Sequence, residues 1–244
     1  MAALTGCLIS GGCLMAGSVG FTVPGTANPF LAGMPAGTTC CGGDSAPVNS
    51  PVLIPGLTLN GGDVLTFTNV TGSISNTPSA SGSTPDGLSF FSSGPTNGIG
   101  GYVAPIDALV GVFLDNTLPT SSPTPATLDY TTIGTSFTTF SPQLKQVFFI
   151  GDGLTGTGSG SVQTFVVPNG ATQLFLGDVD GFGWYNNSGA VAGTVNSSAS
   201  AGTPEPATWA LAVCAVSLFG LLRCVSSRSP EESGQLSGCP RNSC

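Results

Sequence analysis

The stretch QVFFIGDGLTGTGSGSVQTFVVPNGATQLFL, residues 146–176, decides the fold class of this chain. It contains three short apolar runs, Gln146–Ile150, Val162–Val167 and Gln173–Leu176, and the turn Pro168-Asn169-Gly170 separates the last two. β-Branched and aromatic residues favour strands, whereas Gly, Pro and Asn favour the turns between them. We therefore predict three strands here.

The same pattern continues on both sides of this stretch. Val52–Leu59 and Val64–Val70 flank Asn60-Gly61-Gly62, which predicts a β-hairpin. Val103–Leu114 reads as one buried strand broken by Pro105, and Ala190–Val195 closes the set. No segment before residue 207 has a helical period. The sequence predicts an all-β domain over residues 21–198, a β-sandwich or jelly roll. Two Ser/Thr/Pro-rich segments read as long loops, Ser73–Thr84 and Thr117–Thr127.

The charge distribution excludes several classes of partner. The net charge is −8, and residues 1–203 hold nine aspartates, no glutamate and one basic residue, Lys145. Such a surface cannot neutralise phosphates, so nucleic acids and anionic lipid head groups are poor partners for it. A metal cation or an uncharged ligand suits it better.

Two residue types limit the chemistry further. The chain has no histidine, which excludes Ser-His-Asp and Cys-His catalysis and histidine-bound zinc. None of its eight cysteines lies within residues 42–213, so the middle of the chain has neither a disulfide framework nor a CxxC site. The adjacent Cys40 and Cys41 could pair elsewhere or stay free, and nothing nearby would activate either as a thiolate.

An apolar segment stands at the start of the chain, and a second one stands near its end. Residues 1–20 predict a signal peptide without a basic start, the alternatives being a short apolar strand or an incomplete start of the gene. Residues 207–222 (ATWALAVCAVSLFGLL) carry no charge and precede Arg223 and Arg228, which predicts a transmembrane helix over residues 207–225 rather than a buried helix. A linker over 199–206 and a polar tail over 226–244 complete the predicted organisation.

A Pro-Glu-Pro triplet, Pro204-Glu205-Pro206, stands directly before this apolar segment. Its two prolines keep the backbone extended and poor in hydrogen bonds, which suits binding by a protease. Together with the apolar segment and the two arginines, the triplet resembles the PEP-CTERM sorting signal of Gram-negative bacteria. The resemblance implies export, transient anchoring in the inner membrane, and processing near the triplet by an exosortase-type membrane protease. Residues 229–244 extend beyond the usual end of that signal.

One loop gathers oxygen-bearing side chains, and it reads GDVDGFGWYNNSG over residues 177–189. Asp178, Asp180, Asn186 and Asn187 offer hard oxygen ligands on a glycine-rich backbone, a combination that suits Ca²⁺. Zinc and copper are disfavoured because the loop has neither His nor Cys. The alternative is an Asx-rich turn whose side chains bond their own backbone. Two aromatic side chains of the loop could offer a face to a sugar ring, Trp184 and Tyr185.

This loop resembles the calcium loop of the galactophilic bacterial lectins, small β-sandwiches in which Ca²⁺ coordinates galactose hydroxyls. The resemblance maps the family's aspartate onto Asp178, its mid-loop carbonyl onto Phe182 or Gly183, and its asparagine pair onto Asn186 and Asn187. The loop here is one residue longer, Asp180 replaces a neutral residue, and the family's sugar-contacting histidine has no counterpart. Weaker similarity covers three further segments, Asn60–Phe67, Pro105–Phe113 and Phe149–Gly153.

Two enzymatic interpretations are weaker. Gly151-Asp152-Gly153-Leu154-Thr155-Gly156 fits GxGxxG, but the following Thr-Gly-Ser-Gly-Ser cannot start the helix that dinucleotide binding needs, so we predict a hairpin loop. Glycoside hydrolysis needs a pair of carboxylates, and nothing marks one aspartate as the proton donor.

The sequence therefore predicts a non-enzymatic, exported protein of the bacterial envelope or extracellular matrix. Its lectin-like sandwich would bind Ca²⁺ and a glycan, with extracellular polysaccharide as a partner. The alternative is a structural biofilm protein with no defined ligand.

Overall fold

The computed structural model describes residues 17–78 and 82–198. Within these ranges the chain forms short strands joined by turns, and helical structure is limited to α1 (Tyr130–Ile133) and three 3-10 turns at Pro29–Leu31, Pro119–Ser121 and Trp184–Asn186. The structure therefore confirms the predicted all-β class.

Sixteen strands make up this part of the chain, and most are only two to six residues long. In chain order they are β1 (Gly17–Pro24), β2 (Thr39–Cys40), β3 (Asp44–Ser45), β4 (Val52–Leu53), β5 (Val64–Ser75), β6 (Phe90–Ser93), β7 (Tyr102–Pro105), β8 (Leu109–Leu114), β9 (Leu128–Asp129), β10 (Thr139–Phe140), β11 (Val147–Phe149), β12 (Leu154–Gly156), β13 (Ser159–Val162), β14 (Thr164–Val166), β15 (Gln173–Asp178) and β16 (Ser188–Ser198).

The strands form two larger sheets and three small ones. The larger sheets have the orders β1-β16-β5-β14-β10 and β11-β8-β15-β4. The small sheets are β6-β7-β9 and the pairs β2-β3 and β12-β13. The first and last strands lie side by side, because β1 runs antiparallel to β16 from Gly17 opposite Ser197 to Pro24 opposite Ala190.

One hydrophobic core is shared by the two larger sheets. Alternate side chains of a strand point to opposite faces, so each sheet contributes every second residue. The five-stranded sheet contributes buried residues such as Phe21, Phe67 and Phe165, and the four-stranded sheet contributes Phe113 and Phe148. The burial of these large side chains is the main source of stability for the domain.

A second core covers the other face of the four-stranded sheet. Val110, Val112 and Leu114 of β8 alternate with the residues that face the first core, and they pack with Tyr102 and Trp184. Every residue of β8 is buried as a result. Burial on both faces explains why this strand reads as a continuous apolar run rather than an alternating one.

Two predicted strand arrangements are wrong. Asn60-Gly61-Gly62 does not join a hairpin, because β4 pairs with β15 in one sheet whereas β5 pairs with β14 and β16 in the other. The predicted strand Val103–Leu114 is two strands, β7 and β8, which belong to different sheets. In both places the local signals show that the chain turns but not which strand it joins next.

Two further predicted segments, part of the signal peptide and the GxGxxG segment, lie at least partly in strands that the structure describes. Gly17–Gly20, part of the predicted signal peptide, lies in β1 and pairs with β16. Of the GxGxxG segment, Gly151–Gly153 form a turn and Leu154–Gly156 form β12, which pairs antiparallel with β13, so the segment belongs to a hairpin but is not its loop.

Several predictions concern residues outside the described ranges. They are the remainder of the signal peptide (1–16), the linker with its Pro-Glu-Pro triplet, the transmembrane helix and the polar tail. Within residues 17–78 and 82–198, no helix has the length and apolar character needed to cross a bilayer.

Candidate functional site

The loop that the sequence singled out connects β15 to β16, and we call residues 178–187 the site loop. Gly177, at the end of β15, has no room for a side chain, since a Cβ there would lie 2.6 Å from the Ala27 carbonyl oxygen. Gly183 takes a φ of 90°, and the 3-10 turn Trp184–Asn186 follows it. These glycines let the loop fold its first and last residues into the protein.

Three of the predicted ligands come together inside the domain. Asp178, Asp180 and Asn187 are all buried. The Asn187 side-chain amide donates to Asp178 Oδ2 at 3.3 Å, and the Gly181 backbone N–H donates to Asp180 Oδ1. One oxygen of each of these three side chains has no hydrogen-bond partner: Asp178 Oδ1, Asp180 Oδ2 and Asn187 Oδ1.

A fourth buried oxygen comes from Asp107, in the turn between β7 and β8. Its backbone N–H donates to the Val179 carbonyl oxygen at 2.8 Å, which ties this turn to the site loop. The hydroxyl of Ser83 donates to Asp107 Oδ2 at 2.7 Å, while Oδ1 has no partner. The sequence interpretation missed this residue, although an acid within the apolar run VAPIDALVGVFL was an available signal.

Burial, together with neighbouring charge, raises the pKa of Asp178 and of Asp107. Burial raises the pKa of Asp178 well above its usual value, and the charges of Asp180 and Asp107 raise it further. Burial also raises the pKa of Asp107, with a contribution from Asp180. Lys145, the one basic residue in the described ranges, does not offset these charges, because its ammonium group donates to Ser122 Oγ and to the Pro119, Ser122 and Pro123 carbonyls.

These observations describe an oxygen-rich, negatively charged cluster, which we call the acidic pocket and define as Asp107, Asp178, Asp180 and Asn187. In the described part of the chain, four of the six buried side-chain atoms without a partner belong to it. A buried polar group without a partner costs about 1–3 kcal/mol, and more when it is charged. A hard cation would satisfy such a group. Within residues 17–78 and 82–198, no three Asp, Glu, Cys or His side chains are arranged to hold a metal ion as they stand. A cation in the acidic pocket would therefore have to draw its side chains closer together.

Asp44 positions the site loop from the hairpin β2-β3. Its carboxylate accepts the backbone N–H of Trp184 at 3.0 Å and that of Tyr185 at 2.8 Å, together with the side-chain amide of Asn28 at 3.0 Å. Burial raises the pKa of Asp44, although these three hydrogen bonds oppose the rise. The sequence interpretation also missed this residue, which lies more than a hundred residues before the loop.

The hairpin that carries Asp44 holds a disulfide between the adjacent Cys40, at the end of β2, and Cys41, in the turn that follows. The side-chain amide of Asn28 contacts both the Cys40 sulfur, at 3.2 Å, and the carboxylate of Asp44. The sequence left these two cysteines to pair elsewhere or stay free; the structure pairs them with each other, beside the site loop.

Replacement of Asp44 by alanine is expected to destabilise the protein by about 2–4 kcal/mol, because three donors lose a charged acceptor and two of them are loop backbone groups. Urea unfolding of the full-length protein measures the change. Asp115→Ala is the matched control, since Asp115 also accepts a backbone N–H, from Thr117 at 2.8 Å, but at an exposed position. Equal effects of the two substitutions would contradict the positioning role of Asp44.

Two predicted site residues do not join the acidic pocket. Trp184 was predicted to offer a face to a sugar, and this is wrong, because its side chain is fully buried. Its indole packs edge-on against Phe30 and its Nε1 donates to the Asp178 carbonyl at 3.0 Å. Asn186 is exposed, so the predicted asparagine pair is divided between solvent and interior. Tyr185 is 57% exposed, and its ring remains available to a ligand.

Comparisons of the chain with known protein families, with curated proteins and with solved structures gave no match. The chemistry of the site is therefore inferred from its own residues and from their surroundings.

Proposed function

We propose that residues 21–198 form a lectin-like β-sandwich that binds Ca²⁺ in the acidic pocket. The observation that carries this proposal is the set of four buried side-chain oxygens that lack a hydrogen-bond donor. Three carboxylates buried within reach of one another's charge destabilise a protein when they are ionised, unless a positive charge joins them. A divalent cation supplies that charge and accepts all four oxygens as ligands.

Ca²⁺ fits the donors better than other biological cations do. Carboxylate and amide oxygens are its usual ligands, and it tolerates irregular coordination by six to eight oxygens. Backbone carbonyls of the site loop and solvent would complete the set. Mg²⁺ demands a near-ideal octahedron of short bonds, and Zn²⁺ and Cu²⁺ prefer nitrogen and sulfur donors, which the acidic pocket does not offer.

The cellular role we propose is that of an exported, non-enzymatic protein of the bacterial envelope or extracellular matrix. The sorting triplet Pro204-Glu205-Pro206 and the apolar segment after it support this role through their resemblance to the PEP-CTERM signal. An exosortase-type protease in the inner membrane would be one partner, and extracellular polysaccharide the other. The disulfide between Cys40 and Cys41 favours an oxidising compartment, which fits export.

Calorimetric titration of the full-length protein with Ca²⁺, after chelator treatment, tests the metal site. We expect one site per chain, and loss of binding in Asp178→Asn and in Asp107→Asn. Asp129→Asn serves as the control, because the Asp129 carboxylate already accepts the N–H and hydroxyl of Thr131 at the surface. Absence of binding by the wild-type protein would favour the alternative, a structural biofilm protein with no defined ligand.

The intact mass of the protein recovered from its own host tests the sorting proposal. We expect a chain that ends near residue 204. Such a cut would leave β16 whole, since that strand ends at Ser198. An exported chain that retains residues 207–244 would contradict processing at the triplet.

A further inference from the structure

The exposed aromatic side chains of the described residues are concentrated in one region. Phe182 and Tyr185 of the site loop are 73% and 57% exposed, and Phe91 of β6 is 44% exposed. The one other exposed aromatic ring in the described ranges, Phe90, is also on β6. We call Phe91, Phe182 and Tyr185 the aromatic surface. An exposed apolar cluster on a monomer commonly marks a binding site.

Two of these rings lie directly on glycine backbone. The ring of Phe91 occupies the position that a side chain at Gly181 would take, and the ring of Phe182 does the same at Gly42. Gly181 belongs to the site loop, and Gly42 to the loop of the hairpin β2-β3. The aromatic surface therefore spans the contact between these two loops, and each ring is supported from beneath.

Tyr185 completes the surface and is fixed at its backbone. Its ring lies 2.9 Å from the position of a Cβ at Gly183, and its N–H donates to the carboxylate of Asp44 at 2.8 Å. Rings held in place before binding lose little conformational entropy when a ligand arrives. This arrangement is suited to stacking against a flat apolar face.

The charge around the aromatic surface selects among ligands. Asp44 and Asp180 lie next to the loop backbone that carries Phe182 and Tyr185. Lys145 is the one basic residue of the described ranges, and its ammonium group is held by the carbonyls of the 119–123 segment. The aromatic surface therefore repels polyanions. One divalent cation in the acidic pocket would not reverse this, because the three aspartates of the pocket carry more negative charge than the cation carries positive charge.

We infer that the aromatic surface binds the sugar rings of an uncharged polysaccharide. This inference rests on the proposed function and identifies the class of glycan and the residues that contact it. Sugar rings present C–H faces that pack on aromatic faces, and hydroxyls that hydrogen-bond to nearby carbonyl and carboxylate oxygens. Phe91 and Phe182 replace Trp184 in the predicted sugar platform, and Tyr185 remains.

Affinity electrophoresis of the full-length protein tests the inference, with gels that contain dextran, a galactan or a mannan, and alginate as the acidic polymer. We expect retardation in at least one uncharged gel and none in alginate. Phe182→Ala and Tyr185→Ala should each weaken the retardation by at least about tenfold, as for anchor residues at other binding surfaces. Leu118→Ala is the control, since Leu118 is 45% exposed and belongs to neither loop.

A calcium titration of the same variants separates this inference from the proposed metal site. Phe182→Ala is expected to bind Ca²⁺ as the wild type does. Calcium binding without retardation in any uncharged gel would overturn the inference and leave the metal site standing. Retardation without calcium binding would support the inference and overturn the metal site. Retardation in alginate alone, or a dimer in sedimentation that Phe182→Ala dissociates, would also overturn the inference.

Discussion

Saturating Ca²⁺ is expected to raise the thermal unfolding midpoint of the full-length protein by about 10 °C. A ligand at a thousand times its dissociation constant stabilises the folded state by about 4 kcal/mol, and 1 kcal/mol corresponds to about 2–4 °C in a domain of this size. The gain would arise because the cation joins Asp107, Asp178 and Asp180, which are buried within reach of one another's charge. Calorimetric scans with Ca²⁺ and with excess chelator measure the difference.

Acidity should also stabilise the metal-free protein, because protonation removes the buried negative charge that Ca²⁺ would neutralise. The pKa of Asp178 is higher in the folded state than in the unfolded chain, so between these two values the folded state binds more protons. Metal-free stability therefore falls as the pH rises through that window, and it levels off above the folded-state pKa. Bound Ca²⁺ favours the ionised carboxylates and should remove this fall.

Asp178→Asn and Asp107→Asn supply the controls for this prediction. Each removes one buried charge at nearly constant volume, so each should make the metal-free protein as stable as the wild type or more so, while abolishing the gain from Ca²⁺. A wild-type midpoint that Ca²⁺ does not move, or an equal gain in both variants, would contradict a metal site in the acidic pocket.

Truncation of Trp184 to alanine should destabilise the protein by about 3–5 kcal/mol, the usual cost of removing a large buried aromatic side chain. The indole is fully buried, packs edge-on against Phe30 at 5.9 Å between ring centroids, and satisfies the Asp178 carbonyl through its Nε1. Urea unfolding of the full-length protein measures the loss.

Tyr185→Ala is the matched comparison, one residue along the same loop. Because Tyr185 is 57% exposed, its removal should change stability by no more than about 0.5 kcal/mol. Near-equal losses in the two variants, or a Trp184→Ala protein that stays as stable as the wild type, would show that the indole is not part of the core.

The sequence was informative about strands but not about their partners. Apolar runs such as VLTFTNV and QVFFI identified β5 and β11 because burial in a sheet demands such runs. Pairing is a long-range property: β5 pairs with β16, more than a hundred residues further along the chain. Asn60-Gly61-Gly62 was misread for this reason, since turn chemistry fixes the local backbone and leaves the next sheet open.

In the candidate site too, the sequence indicated the residues that lie close together along the chain and missed those that lie far apart. Asp178, Asp180 and Asn187 were predicted because they share one short loop, and their spacing is visible along the chain. Asp107 comes from a distant turn and Asp44 from the strand β3, and only folding brings them to that loop. The burial of Trp184 was equally invisible, because a tryptophan in a loop can face either the core or the solvent.

The long strand β16 separates the acidic pocket from Ser198, the last residue of the domain that the structure describes. It begins at Ser188, directly after the site loop, and ends at Ser198. Eleven residues of extended strand span about 35 Å, so the chain departs from the domain at the far end of this strand from the acidic pocket.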